Sequence, residues 1–196
     1  YGKSTMMKYL LLLQILKGKK VAVFSPEDDP AHEFYNDFVE MYFGKSCIYG
    51  DDRPNEIQYE HIYDLITKNI FFVYPKDIAP TPEYIKERFL ELIIKEKVEF
   101  CMIDPFNQMT NEYARSGGRS DKYLETLLSD FRRFARVNEI YFIIVAHPKT
   151  LQKKPDGNYP CPDVFDIADG AMWNNKMDNI LVYHLPYRQT DQFSNV

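Results

Sequence analysis

The sequence predicts an α/β domain in which a mostly parallel central sheet is covered by helices on both faces. Short apolar runs alternate with longer helix-forming segments along the chain, and this alternation is typical of parallel sheets. The apolar runs at 21–24 and 70–74 contain no alternating polar residues, as expected for strands buried on both sides. A chain of 196 residues with 45% hydrophobic residues is large enough for one such core.

Capping residues mark the helix ends in the first half of the chain. An apolar run that predicts a buried helix ends at Gly18, a residue that fits a C-terminal cap. Asn55 and Gln58 have the spacing of a capping box, which places a helix start there. The predicted elements are a helix at 6–17, a strand at 21–24, helices at 30–42 and 56–69, and a strand at 70–74.

The second half continues the same alternation. Thr81 and Pro82 read as a cap followed by a first-turn proline, which starts a helix. The predicted elements are a helix at 82–97, a strand at 98–103, a polar loop at 107–119, a helix at 121–137, a strand at 140–145, a loop at 149–162 and a last strand at 180–183.

The segment Gly2-Lys3-Ser4-Thr5 has the residues that end a phosphate-binding loop. In such loops backbone N–H groups surround the nucleotide phosphates, the lysine reaches the β- and γ-phosphates, and the next hydroxyl binds Mg²⁺. We therefore predict that these four residues bind the nucleotide and that Ser4 is a metal ligand. The alternative is an ordinary helix start with a threonine cap.

Three chemically active side chains follow predicted strands. Glu27 comes soon after the strand at 21–24, Asp104 directly follows the strand at 98–103, and His147 follows the strand at 140–145. Ligands of open α/β sheets bind at the carboxyl ends of the strands, so all three should face one bound phosphate. Taken singly, each has a plainer explanation, namely a solvated turn carboxylate, a turn-starting Asp-Pro pair and a loop histidine.

Phosphoryl-transfer chemistry gives each of these residues a role. Asp104 would hold Mg²⁺ beside the loop hydroxyl, and Glu27 would orient and deprotonate the attacking water. His147 would hydrogen-bond the γ-phosphate and report its loss to the segment that follows it.

A lysine-rich loop follows His147. Its cations are Lys149, Lys153 and Lys154, which could neutralise phosphates of a nucleic acid or could simply form a solvated surface loop. Because the loop comes directly after a γ-phosphate sensor, it would couple hydrolysis to the grip on a strand.

Bulk composition narrows the function classes. The net charge of −5 argues against a uniformly basic nucleic-acid coat but allows a local basic loop. The three cysteines lie far apart, which indicates a reducing compartment and no zinc site. The longest apolar run is too short to span a bilayer, and no targeting signal is readable, so we predict a cytoplasmic protein without a membrane partner.

Five segments occur in one order along the chain: FSPE at 24–27, IDPFN at 103–107, VAHPK at 145–149, DIADGA at 166–171 and NKMDN at 175–179. This order resembles the helicase domain of the Twinkle-type replicative helicases, a group of ring helicases that includes phage primase-helicases and, more distantly, DnaB. The resemblance implies a RecA-like P-loop fold, a hexameric ring, hydrolysis of ATP or another nucleoside triphosphate with Mg²⁺, and translocation on single-stranded DNA. A linked or separate primase would be a further partner, in a bacterial or phage-infected host cytoplasm.

Matched motif by motif, the resemblance gives the same roles. Lys3 and Ser4 bind phosphate and metal, and Asp104 is the Walker B aspartate. Glu27 is the catalytic base and His147 is the phosphate sensor, while the lysine loop matches a DNA-contacting loop in the central channel of the ring.

The chain departs from the family pattern at two positions and is expected to lack two of its active-site parts. Residues 169–171 read Asp-Gly-Ala where the family usually has Gly-Ser-Ala, and Arg188 comes later than the family's usual arginine. We expect one RecA-like domain over 1–196, truncated at both ends, so that the start of the phosphate loop and the arginine-finger strand are missing. Such a fragment should hydrolyse ATP poorly.

Two other functions fit part of the pattern. A RecA-like ATPase could act as a recombination or loading factor that binds DNA without unwinding it, although the FSPE segment and the lysine loop favour the helicase. A small P-loop kinase would need an arginine-bearing lid. The one arginine cluster, Arg132, Arg133 and Arg136, lies on a predicted helix and is explained equally well as the solvated face of that helix.

Overall fold

A computed structural model describes residues 2–28, 34–75, 78–110, 118–149, 151–155 and 159–184. Within these ranges four strands form one sheet in the order β2-β1-β3-β4, and every neighbouring pair is parallel. The strands are β1 (Val21–Phe24), β2 (Ile70–Val73), β3 (Phe100–Ile103) and β4 (Tyr141–Ile144). The predicted parallel sheet is therefore confirmed.

Two helices begin at the predicted caps, the first helix begins at Lys3 rather than at residue 6, and the helix at Gly170–Lys176 was not predicted. Asn55 forms a complete capping box with Gln58, and the Thr81 hydroxyl accepts a hydrogen bond from the Tyr84 N–H. The predicted helix at 30–42 is described only from Phe34 onward, since 29–33 lie outside the described residues. The helices are α1 (Lys3–Ile15), α2 (Phe34–Phe43), α3 (Glu56–Asn69), α4 (Pro82–Glu96), α5 (Ser120–Val137) and α6 (Gly170–Lys176), with 3-10 turns at Phe106–Gln108 and Val164–Asp166.

Side chains of β1 point alternately into two hydrophobic cores. Val21 and Val23 pack with residues of α1, α2 and α3, whereas Ala22 and Phe24 pack with residues of α4 and α5. All four are fully buried, because a strand between two helical layers meets apolar side chains on both faces. This arrangement confirms the predicted three-layer α/β architecture.

The first helix is less buried than predicted. Leu11, Leu12 and Ile15 lie in the core, but Tyr9 and Leu13 are exposed on the opposite side of α1. The sequence of α1 is apolar nearly all round, so its pattern cannot distinguish the side that meets the sheet from the side that does not. Among the described helices, none has the length and apolar character needed to cross a membrane.

The predicted strand at 180–183 is wrong. None of these residues pairs with the sheet in the described part of the chain, and all four are exposed, with Leu181 at 69%. Apolar character alone does not make a strand, because its backbone groups also need a neighbouring strand to bond. Instead, Asp178 forms ion pairs with Arg132 and Arg136 of α5, and the Tyr183 ring packs against Gly2.

The start of α6 depends on a glycine. A Cβ atom at Gly170 would lie 2.3 Å from the Val164 carbonyl oxygen and 2.6 Å from Phe165 Cα. We expect Gly170→Ala to lower the free energy of unfolding by about 1–3 kcal/mol, as other overpacked sites do, in a denaturant titration. The neighbouring Ala171 is exposed, so Ala171→Gly serves as the control and should cost less than about 1 kcal/mol. Equal effects of the two changes would contradict the close packing at Gly170.

Candidate active site

The N-terminus of α1 is formed by the Gly2-Lys3-Ser4-Thr5 segment. Gly2 adopts a left-handed conformation with φ of 85°, and α1 begins at Lys3 without a side-chain cap from the described residues. The segment does start a helix, but Thr5 lies inside the first turn and Gly2 is the N-cap residue, so the threonine cap of the alternative explanation is wrong. The first N–H groups of an α-helix have no partner within the helix, and such a terminus favours an anion.

Backbone hydrogen bonds hold three strand ends together at one edge of the sheet. The Asp104 N–H donates to the Phe24 carbonyl at the end of β1 at 2.9 Å, and the Phe106 N–H donates to the Val145 carbonyl after β4 at 2.8 Å. Because the strands are parallel, the residues that follow each strand emerge on the same side. Glu27, Asp104 and His147 follow β1, β3 and β4, respectively.

Asp104 is the buried acid of this edge. It is 2% exposed, and its Oδ2 atom has no hydrogen-bond partner among the described residues. Burial raises the pKa of its carboxyl group, and the nearby carboxylates of Asp28 and Glu27 raise it further, while a hydrogen bond from Ser4 and the charge of His147 lower it. A buried carboxylate oxygen without a partner is costly, and a bound cation would satisfy it.

His147 lies within electrostatic reach of the other predicted residues. Desolvation of the ring and the charge of Lys3 lower the pKa of the imidazole, and these effects outweigh the carboxylates of Glu27 and Asp104, which raise it. The ring is therefore neutral at pH 7 and can act as both hydrogen-bond donor and acceptor. The structure thus brings Lys3, Glu27, Asp104 and His147 to one edge of the sheet, next to Ser4.

Glu27 is held by a residue that no motif singles out. The side chain of Gln108 donates a hydrogen bond from Nε2 to Glu27 Oε1 at 2.9 Å. Gln108 lies in the 3-10 turn that follows Pro105, one residue beyond the IDPFN segment. Its position next to that segment is the only sequence signal, and it becomes informative only when the turn folds back toward β1.

A buried lysine close to this edge was also not predicted. Lys8 lies one helical turn after Ser4 and contacts Asp28, the residue that follows Glu27. Its sequence signal is a cation within an otherwise apolar helical segment. Lysines in such segments usually reach solvent along their aliphatic stems, so the sequence alone does not indicate burial.

The lysine loop is exposed in its described part. Residues 151–155 have no regular secondary structure, and Lys149, Lys153 and Lys154 are all exposed. The Lys149 N–H donates to the Asp166 carbonyl at 2.7 Å, and Lys153 Nζ lies 5.4 Å from the centroid of the Tyr159 ring. Residues 150 and 156–158 of the predicted loop, like 111–117 of the preceding one, lie outside the described residues.

The arginines of α5 form surface ion pairs. Arg132 and Arg136 contact Asp178, and Arg133 contacts Asp130. These contacts agree with the solvated helix face rather than with a lid that closes over a substrate.

Metal binding here would depend on few protein ligands. Among the described residues, no three His, Cys, Asp or Glu side chains form a cluster that could hold a metal ion. Mg²⁺ in nucleotide sites is commonly bound by one or two protein oxygens together with phosphates and water. The adjacent Ser4 hydroxyl and Asp104 carboxylate fit that kind of site.

Comparison with known proteins supports the family resemblance of the motifs. No protein-family model matches the chain. It is 28% identical over 109 residues to the Twinkle homolog protein, chloroplastic/mitochondrial, of Arabidopsis thaliana, a match that covers 55% of this chain and 15% of that protein. This chain therefore corresponds to a small part of that relative.

The fold is similar to a solved DnaB-like replicative helicase, whose structure was described together with its interactions with primase. The TM-score is 0.50 at 15% sequence identity, and the match covers 68% of this chain and 34% of the helicase chain. The resemblance to Twinkle-type and DnaB-like helicase domains and the RecA-like α/β fold class are thereby confirmed.

Proposed function

We propose that this chain is the nucleotide-hydrolysing motor domain of a ring-forming replicative DNA helicase that translocates on single-stranded DNA. The observation that carries the proposal is the meeting of a lysine, two carboxylates and an imidazole at one sheet edge, beside an uncapped helix N-terminus. The sequence match to a Twinkle homolog and the fold match to a DnaB-like replicative helicase support the same function.

The phosphate-binding residues would be those of the first turn of α1. Lys3 and the N–H groups of this turn, together with Gly2 and Thr5, would hold the triphosphate of ATP or another nucleoside triphosphate. Ser4 and Asp104 would hold Mg²⁺, which when bound neutralises charge on the phosphate oxygens. The unpartnered Oδ2 atom of Asp104 favours this assignment.

Proton transfer would fall to Glu27. Its carboxylate accepts a hydrogen bond from Gln108 on one oxygen, which leaves the other oxygen available to take a proton from the attacking water. His147 is neutral at pH 7 because its pKa is lowered, so it can hydrogen-bond a phosphate oxygen without a change of charge. We propose that loss of this bond after hydrolysis shifts the lysine loop, which begins two residues later.

The same hypothesis assigns DNA binding to the lysine loop and predicts a ring assembly. Lys149, Lys153 and Lys154 would face single-stranded DNA in the channel of a hexameric ring, where six copies of the loop concentrate positive charge. The outside of such a ring would stay acidic, in keeping with the net charge of −5. A linked or separate primase is the proposed protein partner.

The proposed compartment is the cytoplasm of a bacterium or of a phage-infected host. Cys47, Cys101 and Cys161 are all free thiols in the described residues, as in proteins from reducing compartments.

A strand-displacement assay on the full-length protein tests the proposed function. We expect unwinding of a forked DNA that requires both nucleoside triphosphate and Mg²⁺. Hydrolysis stimulated by single-stranded DNA without any unwinding would instead favour the recombination or loading factor.

The lysine loop yields a quantitative expectation for DNA binding. Replacing Lys153 and Lys154 together by alanine should weaken binding to single-stranded DNA. If each lysine neutralises one phosphate, the slope of log K against log salt should fall by up to about 1.4, at about 0.7 per contact. Fluorescence anisotropy at several salt concentrations measures this slope.

A matched control removes the same charge elsewhere. Lys17 and Lys95 are exposed near the C-terminal ends of α1 and α4, at the opposite edge of the sheet from the candidate site. The variant with both of these lysines replaced by alanine should keep the wild-type slope. Equal slopes for the two double variants would contradict the assignment of the loop to DNA.

A further inference from the structure

Lys8 is a cation buried within α1. It is 3% exposed, and its Nζ atom lies 2.7 Å from Asp28 Oδ1, 2.8 Å from Asp37 Oδ2 and 5.0 Å from the centroid of the Phe34 ring. Burial by itself lowers the pKa of this lysine, but hydrogen bonds and charges from the two aspartates outweigh it and raise the pKa. Lys8 is therefore protonated and paired, as a buried charge must be.

The first partner of Lys8 closes the turn that carries Glu27. The second carboxylate oxygen of Asp28 accepts a hydrogen bond from the Ser25 hydroxyl at 2.7 Å, and the Asp28 N–H donates to the Ser25 carbonyl at 3.3 Å. Ser25 is buried directly after β1. Glu27 lies between these two anchored residues, so the ion pair of Lys8 with Asp28 fixes the backbone on which the Glu27 side chain stands.

Lys8 belongs to the same helix as the proposed phosphate-binding residues at the start of α1. Ser4 and Lys8 are four residues apart in one helix, so they lie on the same face about one turn from each other. Ser4 contacts Asp104, and Lys8 contacts Asp28. One face of α1 therefore contacts two aspartates. Asp104 belongs to the predicted metal site, and Asp28 lies beside the predicted base Glu27.

From this geometry we infer that Lys8 is a positioning residue for Glu27, which sets the base at a fixed distance from the phosphate-binding turn of α1. The inference rests on the proposed function, in which Glu27 deprotonates water. Lys8 itself touches neither nucleotide nor water in this role, and it acts through Asp28. A displacement of about 1 Å at a reacting group can cost about 10²-fold in rate, so such an anchor has a measurable effect.

The second partner of Lys8 provides a control that separates positioning from simple stabilisation. Asp37 lies on α2 and not on the turn. Asp37→Asn removes one ion pair of Lys8 and leaves its contact with Asp28. Lys8→Met removes both ion pairs. Asp28→Asn removes the ion pair with the turn and keeps Lys8, and the Asp28 side chain is 22% exposed.

The test compares these variants with wild type in the full-length protein, using two readouts. The first is hydrogen–deuterium exchange of the segment 25–28, and the second is steady-state ATP hydrolysis. We expect Lys8→Met and Asp28→Asn to speed exchange of this segment and to lower kcat by about 10- to 100-fold, with KM changed by less than about threefold. Asp37→Asn should lower thermal stability but leave both readouts near wild type, and Lys8→Arg should restore part of kcat.

The two readouts distinguish failure of this inference from failure of the proposed function. If wild type hydrolyses ATP and Lys8→Met behaves like Asp37→Asn, Lys8 is only a stabilising residue and the inference is overturned. If wild type does not hydrolyse ATP, the proposed function fails, and the exchange of 25–28 alone decides whether Lys8 anchors the turn. If Lys8→Met does not fold, Asp28→Asn decides both readouts.

Discussion

Replacement of Glu27 by glutamine should abolish nucleotide hydrolysis while nucleotide binding persists. The amide keeps the size of the side chain and can still accept the hydrogen bond from Gln108, but it cannot take a proton from water. A general base contributes about 10²- to 10⁴-fold to a rate, so kcat should fall by about that factor. Phosphate release assays measure the rate, and a fluorescent nucleotide analogue measures binding.

A remote glutamate provides the control for this substitution. Glu87 is exposed on α4, away from the strand ends, and Glu87→Gln should leave kcat unchanged. Full hydrolysis by Glu27→Gln would remove Glu27 from the mechanism, and loss of nucleotide binding would show that the carboxylate acts on affinity instead.

Replacement of Asp104 by asparagine should have opposite effects on activity and stability. The folded-state pKa of Asp104 is raised above its ordinary value of 3.8 by burial, so the folded protein binds this proton more tightly than the unfolded chain does. This tighter proton binding stabilises the folded protein at pH values below the unfolded-state pKa, and the stabilisation is lost as the pH rises through the folded-state pKa. At neutral pH the ionised Asp104 therefore destabilises the nucleotide-free protein.

The asparagine variant lacks this charge and should melt at a higher temperature in the absence of nucleotide. A gain of about 1 kcal/mol corresponds to about 2–4 °C for a chain of this size. Its Mg²⁺-dependent hydrolysis should fall by at least about 10²-fold, because a metal contributes several kcal/mol to charge stabilisation in the transition state. Melting curves with and without Mg²⁺ and nucleotide should show ligand stabilisation for wild type and little for the variant.

The control for this pair of effects is an exposed aspartate. Asp64 forms a solvent-exposed ion pair with Lys68, so Asp64→Asn should change the melting temperature little and leave hydrolysis intact. If the nucleotide-free Asp104→Asn protein melts below wild type, Asp104 is not a buried charge that destabilises the protein until a cation binds.

The candidate site was predictable from the sequence to the extent that it depends on strand direction. Parallel strands present their carboxyl ends on the same side, so the residues after β1, β3 and β4 had to share an edge once the alternation of strands and helices was read correctly. This reasoning brings Glu27, Asp104 and His147 together, and the structure places Lys3, Glu27 and Asp104 within electrostatic reach of His147. Their catalytic roles remain predictions.

The supporting contacts of the site were not predictable, because they join residues that are distant in sequence. Lys8 contacts Asp28 and Asp37, which lie 20 and 29 positions later in the sequence. Gln108 and Glu27 are in contact although 81 positions separate them. A sequence pattern shows a lysine in an apolar helix and a glutamine after a motif. It does not show which carboxylate each of them faces.

The sequence by itself determined the N-terminal caps of α3 and α4, the alternation of strands and helices up to β4 and the order of the chemically active residues, since each depends on neighbours within a few positions or on chain direction. Tertiary structure alone decided that α1 buries only one side, that Lys8 is a buried cation, and that the apolar run at 180–183 stays outside the sheet. The physical reason is that burial and strand pairing are properties of what packs against a segment, and an apolar run has the same composition whether or not a partner lies beside it.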